Sequence, residues 1–502
     1  MFSRNLRLLL LTAIPLLLQG QSLQEFEKHI TEFSLPNGMH WIVYERHEAP
    51  VVAFNAFVNA GAVDDPAGDS SMAHMFEHMI GKGTTTVGTT NWPAEHKALQ
   101  RVEQVYDRYD EEKRKGAKAD PQKVKQLDAE LKDAVESADS YVQPNEFTRV
   151  IEEQGGVGFN AGTAQDYTTY FYSLPANKTE LWFDLTSEWF KRPVFREFYK
   201  ERDVVREERR MRVESSTQGK LMELLMATSF MAHPYRNFIG WASEIEHLRA
   251  KDAETFYQKY YAPGNVTMAV VGDVKPAEIR RLAEKYFGPL TARPLPPPVS
   301  AVEPKQEGAK RALLETASQP FLLMGYKRPN QTHPDDPVFD VIAGILSSGR
   351  TGLLYKDLVR DKRIALGVQA GATFPSGKYG NLFVLFDVPQ AGHSIEENEK
   401  AIFDILDSLK REKVDDATLQ RVKTKVRAGL IRQLDSNTGL ASQLPFYSVM
   451  YGDWRVMFTG LKDIEKVTAE DVQRVAKQYF VDENRTAVYT IKPANSAQEA
   501  SK

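Results

Sequence analysis

Residues 73–79 read AHMFEHM, and this short stretch governs how the rest of the chain is interpreted. At roughly 100° per residue, His74 and His78 lie about 40° apart on one face of a helix, and Glu77 returns to the same face. Two imidazoles one turn apart can bind one Zn²⁺, and a neighbouring carboxylate can take a proton from water at the metal. The pattern therefore predicts a metal site carried by a helix.

The remaining residues of this helix are apolar, which bears on two simpler interpretations. A lone buried histidine is more often satisfied by a hydrogen bond than by a metal, and a helical histidine pair is often only solvated. Here Met72, Phe76 and Met79 would bury the helix. Burying two histidines and a glutamate without a partner would be costly, so the metal interpretation is favoured.

A zinc hydrolase also needs a third protein ligand and an open position for water. The acidic segment 201–208 is the candidate, because Glu201 and Glu208 are seven residues apart and differ by only about 20° around a helix. Glu207 points about 100° away from Glu208. A ligand glutamate supported by a second carboxylate one heptad earlier would fit, although taken alone the segment is typical of a solvated surface helix.

Composition narrows the possible chemistry. The 502 residues are 42% hydrophobic and 26% charged, with a net charge of −4, ten histidines and no cysteine. A near-neutral chain has no bulk electrostatic reason to bind nucleic acid or anionic lipid, so neither is expected as a partner. Without cysteine there are no disulfides, thiol nucleophiles or cysteine-ligated metals. Any metal must be held by His, Asp or Glu.

The first 22 residues have the pattern of a secretory signal peptide. Arg4 and Arg7 precede an apolar run at 8–18, and small residues follow at Gly20 and Ser22. The run is short for a permanent membrane helix, although an uncleaved anchor is the alternative. No later stretch approaches about 18 apolar residues. We therefore expect a periplasmic or secreted protein without an integral membrane segment after signal removal.

Apolar periodicity and turn residues predict an α+β fold of two homologous domains. Each is expected to be a mainly antiparallel sheet with helices packed on it, and a charged helical hairpin is inserted into the first. A proline-rich linker joins the domains. The predicted bounds are 23–288 for the metal-binding domain, 91–145 for its insertion, 289–310 for the linker, 311–493 for the second domain and 494–502 for a polar tail.

An internal repeat supports the duplication. Seven residues of the first domain recur as identical residues 219 positions later, without a gap, and each copy is typical of a helix followed by a strand. The first members are Ile245, Glu246, Ala250, Asp252, Tyr260, Asn265 and Thr267.

At this point the sequence resembles the pitrilysin/insulinase family of zinc metallopeptidases, whose inverted motif is His-x-x-Glu-His. The likeness covers nearly the whole mature chain apart from the insertion and the tail. The segments that carry it are AHMFEHMIGKGT at 73–84, GGVGFNAGTAQDYTTY at 155–170, the acidic helix 201–208, His233-Pro234-Tyr235 with Gly240, and residues 348–368.

The resemblance implies a role for each matching residue. His74, His78 and Glu208 would be the Zn²⁺ ligands, Glu77 the general base and Glu201 a supporting carboxylate. A second set, Phe159, Asn160 and Ala161, matches the family's edge strand, which binds a peptide substrate in extended form through backbone hydrogen bonds. The implied activity is hydrolysis of peptides or unfolded polypeptides.

One departure from the family concerns the second domain. Active members carry an Arg and, seven residues later, a Tyr that orient the substrate, whereas Val359 and Leu366 stand at these positions here. Two family domains also form only half of the closed four-domain chamber. We hypothesise that a second subunit, identical or different, supplies the missing pair.

Two other readings remain. The chain could be a non-catalytic or partner-dependent subunit of a heterodimeric peptidase, although the complete set of His74, Glu77, His78 and Glu208 argues against a scaffold role. Another hydrolase class is disfavoured because the sequence has no Gly-x-Ser-x-Gly elbow and no phosphate-binding or dinucleotide-binding glycine motif.

Overall fold

The computed structural model describes residues 23–493, so the predicted signal peptide at 1–22 and the polar tail at 494–502 lie outside the described residues. Within 23–493, no helix combines the length and apolar character that crossing a membrane requires. The described chain folds into two helix-covered sheets, which confirms the predicted α+β fold of two similar domains. The domain bounds themselves stay predictions.

The first sheet has six strands in the order β1-β2-β6-β3-β5-β4. Neighbouring strands are antiparallel except β2 and β6, which run parallel. The strands are β1 (Ile30–Ser34), β2 (His40–Glu45), β3 (Val51–Val58), β4 (Val157–Thr163), β5 (Thr168–Pro175) and β6 (Val266–Gly272). The helices of this part are α1 (Leu23–Glu27), α2 (Met72–Met79), α3 (Trp92–Lys113), α4 (Pro121–Asp139), α5 (Glu146–Glu153), α6 (Thr179–Lys191), α7 (Phe198–Arg209), α8 (Thr217–Ser229), α9 (Ala242–Ile245), α10 (Ala250–Tyr260) and α11 (Pro276–Tyr286).

The second sheet repeats the first but has no counterpart of β1. Its order is β7-β11-β8-β10-β9, with β7 and β11 parallel and the other pairs antiparallel. The strands are β7 (Lys310–Glu315), β8 (Leu322–Arg328), β9 (Ala365–Phe374), β10 (Asn381–Pro389) and β11 (Arg485–Ile491). The helices are α12 (Asp336–Ser347), α13 (Ile395–Arg411), α14 (Asp416–Leu434), α15 (Asn437–Tyr451), α16 (Val456–Lys466) and α17 (Ala469–Tyr479). Two π-helical segments, Arg210–Glu214 and Tyr355–Asp361, and short 3-10 turns complete the helical structure.

The repeat seen in the sequence is a structural repeat. Helices α10 and α17 begin 219 residues apart, and so do strands β6 and β11. In each copy an asparagine closes the turn between helix and strand: the Asn265 amide donates to the Tyr260 carbonyl at 2.8 Å, and the Asn484 amide donates to the Tyr479 carbonyl at 3.2 Å. Equivalent side chains therefore make equivalent contacts, as gene duplication predicts.

Each domain contributes one helix that packs on the sheet of the other domain. Helix α15 of the second domain packs on β3 and β6 of the first sheet, where Leu440 and Leu444 join a buried cluster with Ile42. Helix α8 of the first domain packs on β8 and β11, where Leu221 and Leu225 join a second cluster. Each sheet thus buries one face against a helix of the other domain, and two of the buried clusters contain residues of both domains.

The predicted helical hairpin is formed by α3 and α4, and it packs against α7. The rings of Tyr106 on α3 and Tyr199 on α7 stack with their centroids 4.2 Å apart, and the Tyr199 hydroxyl donates to Glu103 at 2.9 Å. Because α7 carries the acidic residues singled out in the sequence, the hairpin supports the helix on which the candidate site depends.

A buried ion pair fixes the base of this hairpin. Arg196 is 1% exposed and donates to Glu95, which is 0% exposed, at 2.7 Å. The same guanidinium donates to the carbonyls of Lys82 at 2.5 Å, Thr84 at 2.8 Å and Val87 at 2.9 Å. These bonds tie the loop after α2 to the start of α3.

Replacing Arg196 with Met should destabilise the protein by about 3–5 kcal/mol, because the Glu95 carboxylate would stay buried without its partner. Denaturant unfolding of the variant measures this loss. Arg192→Met is the matched control, since Arg192 is exposed and should change stability by less than about 0.5 kcal/mol. Equal stability of the two variants would contradict a structural role for the pair.

Candidate metal centre

The start of α2 is held by a carboxylate from outside the helix. Ser71, its N-cap residue, has φ of 74° and makes no side-chain cap. Instead the Asp65 carboxylate accepts hydrogen bonds from the backbone N–H of Ser71 at 2.6 Å and of Ala73 at 2.8 Å. Because these donors are the unpaired groups of the first helical turn, Asp65 fixes the position and direction of α2.

The apolar face of α2 is fully buried. Met75 and Phe76 are 0% exposed, and the Phe76 ring lies 4.4 Å from Tyr261 and 5.5 Å from Trp189 between centroids. The opposite face presents His74, Glu77 and His78, which are only partly buried. Helix packing therefore leaves the three polar side chains on one accessible side, as the spacing predicts.

Helix α7 brings Glu208 to the two histidines. One donor atom from each of His74, His78 and Glu208 lies within 4.8 Å of the others, and this three-residue group is the candidate metal site within residues 23–493. Both Nε2 atoms are 3.5 Å from Oε2 of Glu208. Donors 2.0–2.2 Å from one tetrahedral ion lie roughly 3.3–3.6 Å from each other, so these distances fit Zn²⁺.

A second layer of polar groups orients the three donors. Nδ1 of His78 lies 3.3 Å from Oε2 of Glu201, and the other Glu201 oxygen pairs with Nζ of Lys82 at 2.5 Å. On Glu208, the oxygen Oε1 pairs with Arg212 at 2.8 Å, while Oε2 faces the histidines. An imidazole whose Nδ1 faces a carboxylate turns Nε2 toward the shared centre, which is the arrangement found around ligand histidines.

The charges of the cluster follow from burial and from these contacts. Burial lowers the pKa of His74 to about 4, so its imidazole is neutral at pH 7. For His78, burial opposes the charged form, but hydrogen bonds with Glu201 and Glu208 raise the pKa to about 9. The hydrogen bond with His78 lowers the pKa of Glu208 to about 2. His74 and Glu208 thus already have the protonation state that a metal ligand needs.

Glu77 lies beside the three donors and is held by strand β4. Burial raises the pKa of Glu77, and hydrogen bonds from the side chain and backbone of Thr163 partly oppose the rise. A carboxylate whose pKa is moved toward neutrality, placed next to a metal site, has the properties of a general base.

Strand β4, which carries Phe159, Asn160 and Ala161, is one of the two edge strands of the first sheet and pairs with β5 alone among the described strands. The Phe159 ring is turned inward, with its centroid 5.7 Å from that of Phe147. The Asn160 side chain accepts a hydrogen bond from the Ala161 N–H at 2.9 Å. The outer backbone edge of β4 has no strand paired with it among the described residues.

The positions aligned with the family's Arg and Tyr carry no polar group. Val359 packs against the hydrophobic core of the second domain, and Leu366 is 56% exposed on the edge strand β9. The neighbouring Arg360 pairs with Asp361 at the surface, at 2.6 Å. The two positions therefore lack the Arg and Tyr side chains that active members of the family carry there.

Three residues of the centre were not predicted from the sequence: Asp65, Lys82 and Arg212. Arg212 could have been found, because it follows Glu208 by four residues and such pairs meet on a helix. Asp65 contacts the start of α2 from the preceding loop, and Lys82 contacts Glu201 on α7. The spacing of residues along one helix does not predict such contacts.

Comparison with known proteins gives the family. The model described as "Insulinase (Peptidase family M16)" matches residues 134–240, and "Peptidase M16 inactive domain" matches residues 247–426. The chain is 30% identical over 365 residues to zinc protease PqqE of Helicobacter pylori, which covers 70% of this chain and 80% of that protein.

Solved structures show the same architecture. A protease from Helicobacter pylori superposes with a TM-score of 0.77 at 25% identity, covering 92% of this chain and 99% of its own. The first half of the periplasmic protease PqqL from Escherichia coli shares the fold, with a TM-score of 0.67, 16% identity and 94% coverage of each chain. Fold and relatives together define a two-domain member of a metallopeptidase class. The chain belongs to the pitrilysin/insulinase family, peptidase family M16.

Proposed function

We propose that this protein is a zinc-dependent endopeptidase that hydrolyses peptides or unfolded polypeptides bound in extended form. The observation that carries the proposal is the convergence of His74, His78 and Glu208, from two helices, at distances that suit one tetrahedral ion. The naming of relatives such as PqqE as zinc proteases supports the choice of metal.

Each residue then has a distinct task. His74, His78 and Glu208 hold the metal, and Glu201 keeps the His78 ring in position. Bound Zn²⁺ would supply Lewis acidity, which polarises a carbonyl and makes water a stronger acid. Glu77 takes a proton from the attacking water and later delivers it to the leaving amine.

The edge of β4 binds the substrate backbone. An extended peptide that pairs with this edge gains main-chain hydrogen bonds that do not depend on its sequence. Thr163 lies at the end of β4 and hydrogen-bonds Glu77, so the strand that binds the peptide also positions the base. This mode of binding favours peptides and unfolded chains over folded proteins.

Removing the metal should abolish hydrolysis. Dialysis against a chelator should lower the cleavage rate of a casein-derived peptide mixture to background, because no other group in the proposed mechanism polarises the carbonyl. Adding one equivalent of Zn²⁺ should restore the rate, while Mg²⁺ should not, because it prefers oxygen ligands. Hydrolysis that persists with less than about 0.1 Zn²⁺ per chain would contradict the proposal.

Full activity is proposed to need a second family subunit. This follows from the apolar Val359 and Leu366, which stand where active members of the family carry the Arg and Tyr that orient the substrate. The alternative, a non-catalytic subunit, is favoured by the description "inactive domain" for the model matched at 247–426, but that range excludes the metal residues.

Specific activity should therefore depend on protein concentration if the partner is a second copy. Activity per chain, measured from nanomolar to micromolar concentrations alongside sedimentation velocity, should rise as dimer forms. A constant low activity of a monomer would indicate that a different chain is required. Full activity in a purified monomer would refute the partner hypothesis.

Export to the periplasm or secretion is proposed from the signal-like pattern of residues 1–22. The description of PqqL as a periplasmic protease is consistent with this location.

A further inference from the structure

An apolar cleft lies beside the metal centre. It has a volume of about 470 Å³ and is bordered by the ligand His74 and by Thr163 at the end of β4. Its apolar wall is formed by Met222, Phe238, Ile239 and Phe374, all only partly buried. This volume lies in the range of pockets that bind small organic groups.

Both sides of the cleft are fixed by buried polar contacts. The Gln165 side chain donates to the carbonyls of Asn237 at 3.1 Å and Phe238 at 3.2 Å, which ties the wall to the end of β4. From the second domain, the Lys378 N–H donates to the buried Asp166 carboxylate at 3.1 Å, which also accepts from the Tyr235 hydroxyl. The cleft is therefore preformed in the absence of a bound peptide.

The direction of β4 determines which part of a peptide reaches the cleft. The strand runs from Val157 to Thr163, and the cleft lies at the Thr163 end. A peptide added in the more stable antiparallel direction runs the opposite way, so its N-terminal part lies at this end. Successive residues of an extended peptide are about 3.4 Å apart. Because the cleft borders the metal ligand His74, a side chain that enters it belongs to a residue close to the scissile bond.

The charged groups that border the cleft disfavour a basic occupant. The carboxylate of Asp65 is engaged by the N–H groups of Ser71 and Ala73. Arg212 borders the cleft, and its side chain is 64% exposed while it pairs with Glu208. A lysine or arginine side chain would meet this guanidinium and would lose its hydration against the apolar wall. An aromatic or long aliphatic side chain would bury apolar surface there at no such cost.

We propose that this cleft is a specificity pocket that accepts a bulky apolar side chain from one of the two residues preceding the scissile bond. The proposal rests on the proposed peptidase function and adds the substrate class to it. It assigns Met222, Phe238, Ile239 and Phe374 to substrate selection.

The test uses the full zinc-loaded chain, at the concentration that gives its highest activity, with a mixed peptide library and mass spectrometry of the products. Phe, Leu or Met at one of the two positions before the cut should be favoured over Asp or Lys by roughly tenfold or more. Equal cleavage at all residues, a preference for acidic residues, or a preference confined to positions after the cut would overturn the proposal.

A variant pair locates the preference. Ile239→Asp places a carboxylate in the wall and should reduce the preference for Phe over Lys by about tenfold. Val302→Asp is the control, because Val302 is 84% exposed in the linker and should leave the preference unchanged. Thermal unfolding and zinc content establish that both variants are folded, and the library measurement on the unmodified chain does not depend on them.

Fluorescence anisotropy with labelled Phe-containing and Lys-containing peptides separates the two proposals. Tighter binding of the Phe peptide, with no cleavage either by the dimer or after addition of a second family subunit, would contradict the peptidase function and support an apolar cleft. Zinc-dependent cleavage with equal binding of both peptides would support the peptidase function and overturn the specificity pocket.

Discussion

Replacing Glu77 with Gln should lower kcat/KM for peptide hydrolysis by about 10²–10⁴-fold and leave the zinc content unchanged. The amide has nearly the size of the carboxylate and can still hydrogen-bond Thr163, but it cannot accept a proton from the attacking water. Glu77 is not one of the three clustered donors, so metal binding should survive. Peptide cleavage assays and zinc analysis of the same preparation measure both quantities.

Glu207→Gln is the matched control for this result. Glu207 lies on α7 beside Glu208, but its exposed side chain pairs with Arg210 instead of facing the histidines. The control should keep nearly full activity. Hydrolysis that persists in the Glu77 variant would remove the proposed base from the mechanism, and loss of zinc from it would show that Glu77 acts as a ligand.

Replacing Glu208 with Gln should remove the metal itself. Even outer-layer partners of metal ligands contribute 10–100-fold to affinity, so loss of a ligand carboxylate should weaken zinc binding by more than about 100-fold. Glu201→Gln, which changes the shared partner of His78 and Lys82 but none of the three clustered donors, should fall in the 10–100-fold range. Competition with a chromophoric chelator gives both affinities.

The relative size of the two losses in zinc affinity distinguishes the role of Glu208 from that of Glu201. Glu208 is 3.5 Å from both Nε2 atoms, whereas Glu201 lies against Nδ1 of His78 and the ammonium group of Lys82. A larger loss of zinc for the Glu201 variant than for the Glu208 variant would mean that the assigned roles of the two carboxylates are reversed.

The fold could be predicted because it depends on local periodicity, and the family because several segments of the sequence resemble its motifs. The His-x-x-Glu-His spacing requires only that residues 73–79 be helical, and the 219-residue repeat reproduces helix, turn and strand in the same order. The spacing within each helix also placed the polar side chains of α2 and α7 on consistent faces. The roles of His74, Glu77, His78, Glu201 and Glu208 stay predictions until they are measured.

Contacts between distant elements could not be obtained in this way. Helices α8 and α15 are apolar on several sides, and nothing in their sequences states that each covers the sheet of the other domain. The cap supplied by Asp65 depends on the left-handed conformation of Ser71, which brings two N–H groups toward a residue earlier in the loop. Such features follow from tertiary packing rather than from spacing along one helix.

The most direct test of the central claim is a crystal structure of the zinc-loaded protein with anomalous diffraction data collected on both sides of the zinc absorption edge. We expect one zinc peak per chain, 2.0–2.2 Å from Nε2 of His74, Nε2 of His78 and a carboxylate oxygen of Glu208. A peak bound by other residues, or no peak in protein that cleaves peptides, would contradict the claim.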